Sequence, residues 1–227
     1  MSLLLIIDTA SAQASVSLSF NDQVLQTRTN AQMNDHAAWI HTAINDMLAA
    51  TSGNYQLRHL AGVAIVGGPG SYTGLRVSMA TAKGICYVLN IPLIILNTLK
   101  VMAYATNKEN PTSQLLCPMI DARRMEVFTG LFNMKLEELI TPCAMILDNH
   151  SFADWLENNE ILFFGNGSQK FKSIVQHSNA SFIDSRYTAQ HLADLAYQAF
   201  SAQDFADLAY AEPIYLKEFY TASKLTG

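Results

Sequence analysis

Charge is scarce in this sequence. Of 227 residues only 15% are Asp, Glu, Lys or Arg, against roughly 25% in ordinary soluble domains. The shortage is greatest on the basic side: 14 Lys and Arg stand against 19 Asp and Glu, for a formal net charge of -5. Nucleic-acid binders carry a basic stripe, and the one adjacent basic pair here is Arg123-Arg124. The chain is therefore expected to meet RNA only indirectly, through a partner. Cysteine is also sparse. Cys86, Cys117 and Cys143 are odd in number, far apart and without a CxxC spacing. That excludes a disulfide framework and points to buried free thiols in a reducing compartment. The N-terminal apolar run, Leu3 to Ile7, is too short to cross a membrane and no basic residue precedes it. Neither a signal peptide nor a membrane span is expected, and a cytoplasmic location is. What the chain does have is apolar residues, 50% of the total. They suffice for a sizeable core and leave room for an apolar patch reserved for a partner.

The order of elements reads from periodicity. Leu3–Ile7 is a buried strand; Val16, Leu18 and Phe20 alternate with serines as in a half-buried strand; Asn21-Asp22 turns into a third strand over 24–29. Asn34 or Asp35 can cap a helix whose stripe is Ile40, Ile44, Met47 and Leu48. A strand over 60–66, a glycine loop, a helix over 71–89, a strand over 93–96 and a short helix over 99–105 follow. The polar stretch 106–114 reads as a linker. Then the order repeats: "MIDARRMEVFTGLF" echoes "IIDTASAQASVSLSF", with Asp121 matching Asp8. Two copies of βββαβαβα are the plan of the actin, Hsp70 and sugar-kinase superfamily, an α/β, ribonuclease H-like (ASKHA) fold. The expected lobes are 1–105 and 106–227, with the tail from about 212 packing back on the first lobe through Tyr215 and Leu216. In such folds the two acidic turns face each other across a cleft that holds phosphates and metal.

The stretch "GGPGSYTGLR", residues 67–76, decides between a phosphate cradle and close backbone packing. Gly68, Gly70 and Gly74 are spaced GxGxxxG, one residue too long for a dinucleotide fingerprint, and no GK followed by Ser or Thr supplies a Walker loop. The packing reading fits better. Gly70 allows a sharp entry, Ser71 caps the helix, and Gly74, Ser78, Ala82 and Cys86 form a small-residue ridge that another helix can approach. A helix N-terminus also attracts anions, so the phosphate reading stays open.

"GGPGSYTGLRVSMATAKG" resembles the glycine signature of the TsaB (YeaZ) family, accessory proteins of the bacterial machinery that makes threonylcarbamoyladenosine on tRNA. "IIDTAS", "MIDARRMEVF" and "PIYLKEF" resemble that family's other elements, with Lys217 where arginine is usual and Ser78 where glycine is usual. The resemblance implies a paralogue of TsaD, the catalytic subunit. TsaD carries an HxxxH metal-binding pair where this chain has Thr98 and Met102. Neither can act as an imidazole-type ligand, so a non-enzymatic subunit is expected. Its partners would be a TsaD-type protein and a TsaE-type ATPase, with a homodimer in isolation. The implied interface is the helix after residue 35 and the glycine-loop helix. Its candidate residues are His36, Trp39, Ile40, Ile44, Gly70, Ser71, Gly74, Arg76, Ser78 and Ala82. A large side chain at Ser78 or Ala82 should then abolish pairing and leave the monomer folded.

Other constellations carry blander readings beside the sharp ones. His36 and His41 are five apart, about 140° around a helix and off one face, unlike zincin ligands. No metal is assigned, and no tightly bound cofactor is expected, although ATP or ADP at the complex interface stays open. Asp8, Asp121, Gly165 and Gly167 are the weak nucleotide candidates; the glycines equally suit a strand-to-helix turn. Arg76 can pair with a partner, reach a phosphate, or stand solvated. Trp39 can anchor an interface or pack at home. The competing functions are a nucleotide-binding, kinase-like enzyme and a degenerate glycopeptidase.

Overall fold

The computed structural model describes residues 2–31, 36–51, 53–111 and 113–217. The first five strands are β1 (Leu3–Asp8), β2 (Ala14–Phe20), β3 (Gln23–Asn30), β4 (Gly62–Gly68) and β5 (Leu93–Asn97). They form one sheet in the order β3-β2-β1-β4-β5. The next five, β6 (Leu115–Asp121), β7 (Glu126–Phe132), β8 (Glu138–Ile146), β9 (Ile161–Phe164) and β10 (Ala180–Ile183), form a second sheet in the order β10-β9-β6-β7-β8. Read from the other edge, that is the same topology. In both, the first two strands pair antiparallel and the first strand pairs parallel with the fourth. The duplicated α/β plan expected from the 15-residue echo holds through every strand.

Helices α1 (His36–Ala49) and α2 (Tyr72–Leu89) cover the outer face of the first sheet, where Ile40, Ile44 and Met47 meet Leu5, Val16, Leu18 and Ile65. The short helices α4 (Ala153–Leu156) and α5 (Ser168–Lys172) belong to the second lobe, where Leu156 and Phe171 pack with Phe163. Helices α3 (Thr98–Glu109) and α6 (Ala189–Ser201) lie between the sheets, and each serves the other half's sheet. Leu192, Ala193 and Ala196 of α6 pack on Leu4, Ile6 and Val66; Leu99 and Met102 of α3 pack on Leu116, Phe132 and Phe164. Each buried Leu, Ile, Val, Met or Phe among these contributes about 1.5–3 kcal/mol.

Two expectations need correcting. β2 is buried on both faces: Ser17 is 1% and Ser19 0% exposed. The serine side lies under α6, whose Gln190 side chain donates to the Asp22 carbonyl and accepts from the Val24 N–H at the β2–β3 turn. Ser17 is satisfied by the Thr27 hydroxyl at 3.0 Å. The stretch 106–114 is not all linker, because α3 runs on to Glu109. A polar seam with α6 holds that last turn. Thr106 donates to Ser185, in the segment before α6, at 2.7 Å; Tyr104 donates to Asp194 at 3.0 Å, Gln190 donates to Asp194 at 2.9 Å, and Lys108 ion-pairs with Asp194. The helix cap at Asn34 or Asp35 lies outside the described residues.

Candidate functional site

The glycine loop packs backbone on backbone. A Cβ on Gly70 would lie 2.4 Å from the Ala10 carbonyl oxygen, and one on Gly74 would lie 2.0 Å from that of Thr9. Hydrogen bonds close this contact: Ser71 N–H to Ala10 O at 2.7 Å and Thr9 Oγ1 to Gly74 O at 2.7 Å. On the other side Gly68 has a φ of +121°, and its Cβ position is 2.7 Å from the Ile214 carbonyl oxygen. The Ile214 N–H donates to Gly67 O at 2.8 Å. The loop thus grips the first acidic turn and the C-terminal segment of its own chain. Ser71 is the N-cap, accepting from the Gly74 N–H at 3.4 Å. Gly70 and Ser71 are half-buried in this contact.

The small-residue ridge faces inward, against the expectation that a partner helix rides on it. Ser78, Ala82 and Cys86 are 0% exposed, and Gly74 lies against Thr9. Ile40 and Ile44 are core residues of the same cluster. Gly74, Ser78, Ala82, Ile40 and Ile44 are therefore unavailable to a partner, because the i+4 stripes of α1 and α2 close on the sheet beneath them. Large side chains at Ser78 or Ala82 would disrupt the fold rather than only the pairing. Trp39 is half-buried against that core. The His36 side chain lies outside the described residues. Arg76 is exposed but engaged. Its Nε donates to the Tyr215 hydroxyl at 3.2 Å, and its guanidinium sits 4.5 Å from the Tyr72 ring centroid. The Tyr215 contact holds its pKa above the ordinary arginine value.

The outward face of α2 is a different set of residues. Thr73, Ala80, Gly84, Tyr87 and Val88 are exposed and Val77 is half-buried; they fall within an arc of roughly 100° at helical spacing. Tyr87 is 79% and Val88 78% exposed, and a Cβ on Gly84 would meet nothing within 4 Å. α1 lies beside α2 and turns Ala38, His41 and Asn45 outward. Beyond α6, Tyr210 is 84% exposed between Ala209 and Ala211, whose carbonyl oxygens Lys83 of α2 holds. The signal for this face was in the sequence: α2 is apolar nearly all round, one face more than a single core needs.

The two acidic turns are built alike and end differently. Asp8 accepts from the Ala10 N–H at 2.9 Å, and Asp121 accepts from the Arg123 N–H at 2.6 Å. Asp8 is only 4% exposed. Burial pushes its carboxyl above the usual range, with the Ala10 N–H opposing. The Tyr187 hydroxyl is buried facing it, but makes no well-formed hydrogen bond among the described residues. Asp121 is exposed, and Lys170 at 2.8 Å pulls its pKa below the usual range. Asp121 and Arg123 line a cavity of about 420 Å³ with Gly70, Tyr72, Phe128 and the segment Ile214–Lys217; Asp8 does not reach it. The two aspartates therefore do not share one open site.

The remaining candidates serve packing. A Cβ on Gly165 would lie 2.4 Å from Met119 O, and one on Gly167 would lie 2.9 Å from a Val127 methyl. The Gly167 N–H is already bonded to Met119 O at 3.0 Å. These contacts fit the strand-to-helix turn reading of the two glycines. Thr98 and Met102 are buried on α3, Met102 inside an apolar cluster. Among the described residues no three His, Cys, Asp or Glu side chains gather as metal ligands.

Comparison with known proteins agrees with this architecture. A family model described as "TsaD: tRNA N6-adenosine threonylcarbamoyltransferase" matches residues 23–226. The chain is 27% identical to the tRNA threonylcarbamoyladenosine biosynthesis protein TsaB of Escherichia coli, over 99% of this chain and 98% of that one. It is 28% identical to the Bacillus subtilis protein of the same name, over 76% of this chain and 75% of that one. YeaZ from Pseudomonas aeruginosa superposes with a TM-score of 0.76 at 22% identity, covering 95% of this chain and all of that one.

Proposed function

The chain belongs to the TsaD family, tRNA N6-adenosine threonylcarbamoyltransferase, and we propose that it is a non-catalytic subunit of tRNA threonylcarbamoyladenosine biosynthesis. Its relatives in two bacteria are named for that biosynthesis. The observation that carries the subunit reading is the outward face of α2. Tyr87 and Val88 are more than three-quarters exposed beside Gly84, where a partner helix can come close. The non-catalytic reading is supported by donor chemistry: a buried threonine and a buried thioether occupy positions 98 and 102, where the resemblance puts the paralogue's metal-binding histidines. The partner is a TsaD-type catalytic subunit, docked on α2 and α1, with a TsaE-type ATPase joining the pair. Without them the same face pairs with a second copy. RNA is met through the partner, in the cytoplasm. No helix of the described residues is long and apolar enough to cross a membrane. ATP or ADP at the complex interface would meet Arg123 and Lys217 in the cavity lining as cations.

Light scattering coupled to size-exclusion chromatography tests this. The protein alone should run as a dimer and give way to a one-to-one complex on addition of the TsaD-type protein. Gly84→Arg and Tyr87→Glu should each abolish both species with a folded monomer remaining. An aromatic anchor of this kind carries on the order of 2 kcal/mol or more. Pairing that survives both substitutions overturns the α2 interface. A parent protein indifferent to the TsaD-type partner overturns the subunit reading itself.

A further inference from the structure

After α6 the chain runs as a strap over the first lobe, turning at 207–211, and residues 216 and 217 reach the second. The Ala206 N–H donates to Leu93 O at 2.9 Å, covering the edge of β5. Lys83 Nζ reaches from α2 to the carbonyl oxygens of Ala209 at 3.2 Å and Ala211 at 3.1 Å. Ile214 bonds to the glycine loop, and Tyr215 lies on Tyr72 with ring centroids 5.3 Å apart while accepting from Arg76. Leu216 then leaves the first lobe for the cluster of Leu99, Leu116 and Phe132, and Lys217 ion-pairs with Glu126 on β7. One short segment thereby touches a sheet edge, α2, the glycine loop and the second sheet.

The strap is tied differently from the seam between α3 and α6. In the seam one carboxylate, Asp194, takes Tyr104, Gln190 and Lys108 together; its side chain is 9% exposed and that of Lys108 49%. In the strap the ties are separate: Tyr215, 41% exposed, accepts from Arg76, and Lys217, 48% exposed, pairs with Glu126, 17% exposed. Exposed ion pairs and single hydrogen bonds hold weakly, and segments tied that way open locally, well before the domain unfolds. The strap also supplies Ile214 to Lys217 as one wall of the 420 Å³ cavity.

We propose that residues 206–217 form a releasable latch. Closed, it ties α2 to the second lobe and walls the cavity between the lobes. Open, it releases Arg76 from Tyr215 and uncovers that cavity, while α3 and α6 keep the lobes joined. Its consequence for docking rests on the reading of α2 given above; the latch itself does not.

Residue-resolved amide hydrogen exchange on the full chain without partner tests it. The amides of Ala206 and Ile214 report the latch, and that of Ile65, in the centre of the first sheet, reports global opening. In the parent protein the two latch amides should exchange roughly 100-fold faster than Ile65. In the Lys83→Met/Lys217→Met variant they should exchange about tenfold faster again, with Ile65 unchanged. Latch amides that exchange at the core rate in the parent overturn the proposal, and that measurement needs no variant to fold. So does a variant that accelerates neither latch amide, or that accelerates Ile65 as much as them. Failure of the TsaD-type protein to bind would instead strike the docking reading and leave the exchange result standing.

Discussion

The same substitution at two positions of α2 should change stability in opposite directions. At Gly74 a methyl group would sit 2.0 Å from the Thr9 carbonyl oxygen and 3.1 Å from its carbon. Ordinary contact begins near 3.4 Å, and the obstacle is backbone, fixed in place by the Thr9 hydroxyl bonded to Gly74 O at 2.7 Å. α2 and the β1 turn must separate to admit it. Overpacking of this kind costs roughly 1–3 kcal/mol, and more where the neighbour cannot yield, so Gly74→Ala should lose about 3 kcal/mol. At Gly84 a methyl group would meet nothing within 4 Å, and alanine in an exposed helix interior gains about 1 kcal/mol over glycine. The expected separation, on the order of 4 kcal/mol, is several times the error of urea unfolding followed by circular dichroism. In thermal melts it amounts to roughly 8–16 °C between the two variants, at about 2–4 °C per kcal/mol for a chain this long. Two variants of equal stability would refute the claim that the glycine loop exists to seat the first acidic turn. Gly84→Ala carries a second readout: a more stable monomer that pairs less well with its partner, because the added methyl group occupies the approach path.

Three further outcomes follow from the polar groups. Asp8→Asn should raise stability near neutral pH by on the order of 1–3 kcal/mol, the cost of an imperfectly paired buried polar group. The Asp8 pKa is raised by burial, so its favourable contribution is present below the unfolded value near 3.8 and is lost as pH rises through the folded value. The gain should therefore be seen in melts at pH 8 and vanish below about pH 4; equal gains at both would mean that the carboxyl is not desolvated. Asp194→Ala should cost about 2 kcal/mol by stranding Tyr104 and Gln190. Burial raises the Asp194 pKa, but hydrogen bonds from Lys108, Gln190 and Tyr104 outweigh it and leave the pKa lowered. The parent thus keeps this contribution above pH 3.8 and loses it on acidification, a step the variant's pH–stability curve should lack. Burial pushes the Cys86 thiol up to about 11 and Cys117 up to about 12, so iodoacetamide at pH 8 should alkylate Cys143 first in the native protein. Rapid labelling of Cys117, read by mass spectrometry, would contradict its burial in the second core.

Much of the fold was legible in order along the chain. Each strand announces itself by a short apolar or alternating run, and the Ile-Asp echo at Asp8 and Asp121 marks the duplication, because local backbone geometry and period depend on neighbours in sequence. Thr98 and Met102 were singled out by the family resemblance, not by any local pattern. What a residue faces was not legible. The serines of β2 read as a solvent face and are buried, since only the tertiary structure brings α6 across from the other half of the chain. The ridge of Gly74, Ser78, Ala82 and Cys86 read as a surface for a partner and turned out to be a contact with the chain's own sheet and first acidic turn. A helix apolar on two faces does not say in its sequence which face its own core takes. Asp8 and Asp121 look equivalent in sequence, yet one is buried under Tyr187 and the other ion-paired with Lys170 at 2.8 Å, because the groups that set their charge come from far along the chain. Period and turn chemistry are local properties, and the sequence alone determines them; burial, charge state and which face stays free depend on long-range packing, and only the tertiary structure decides them.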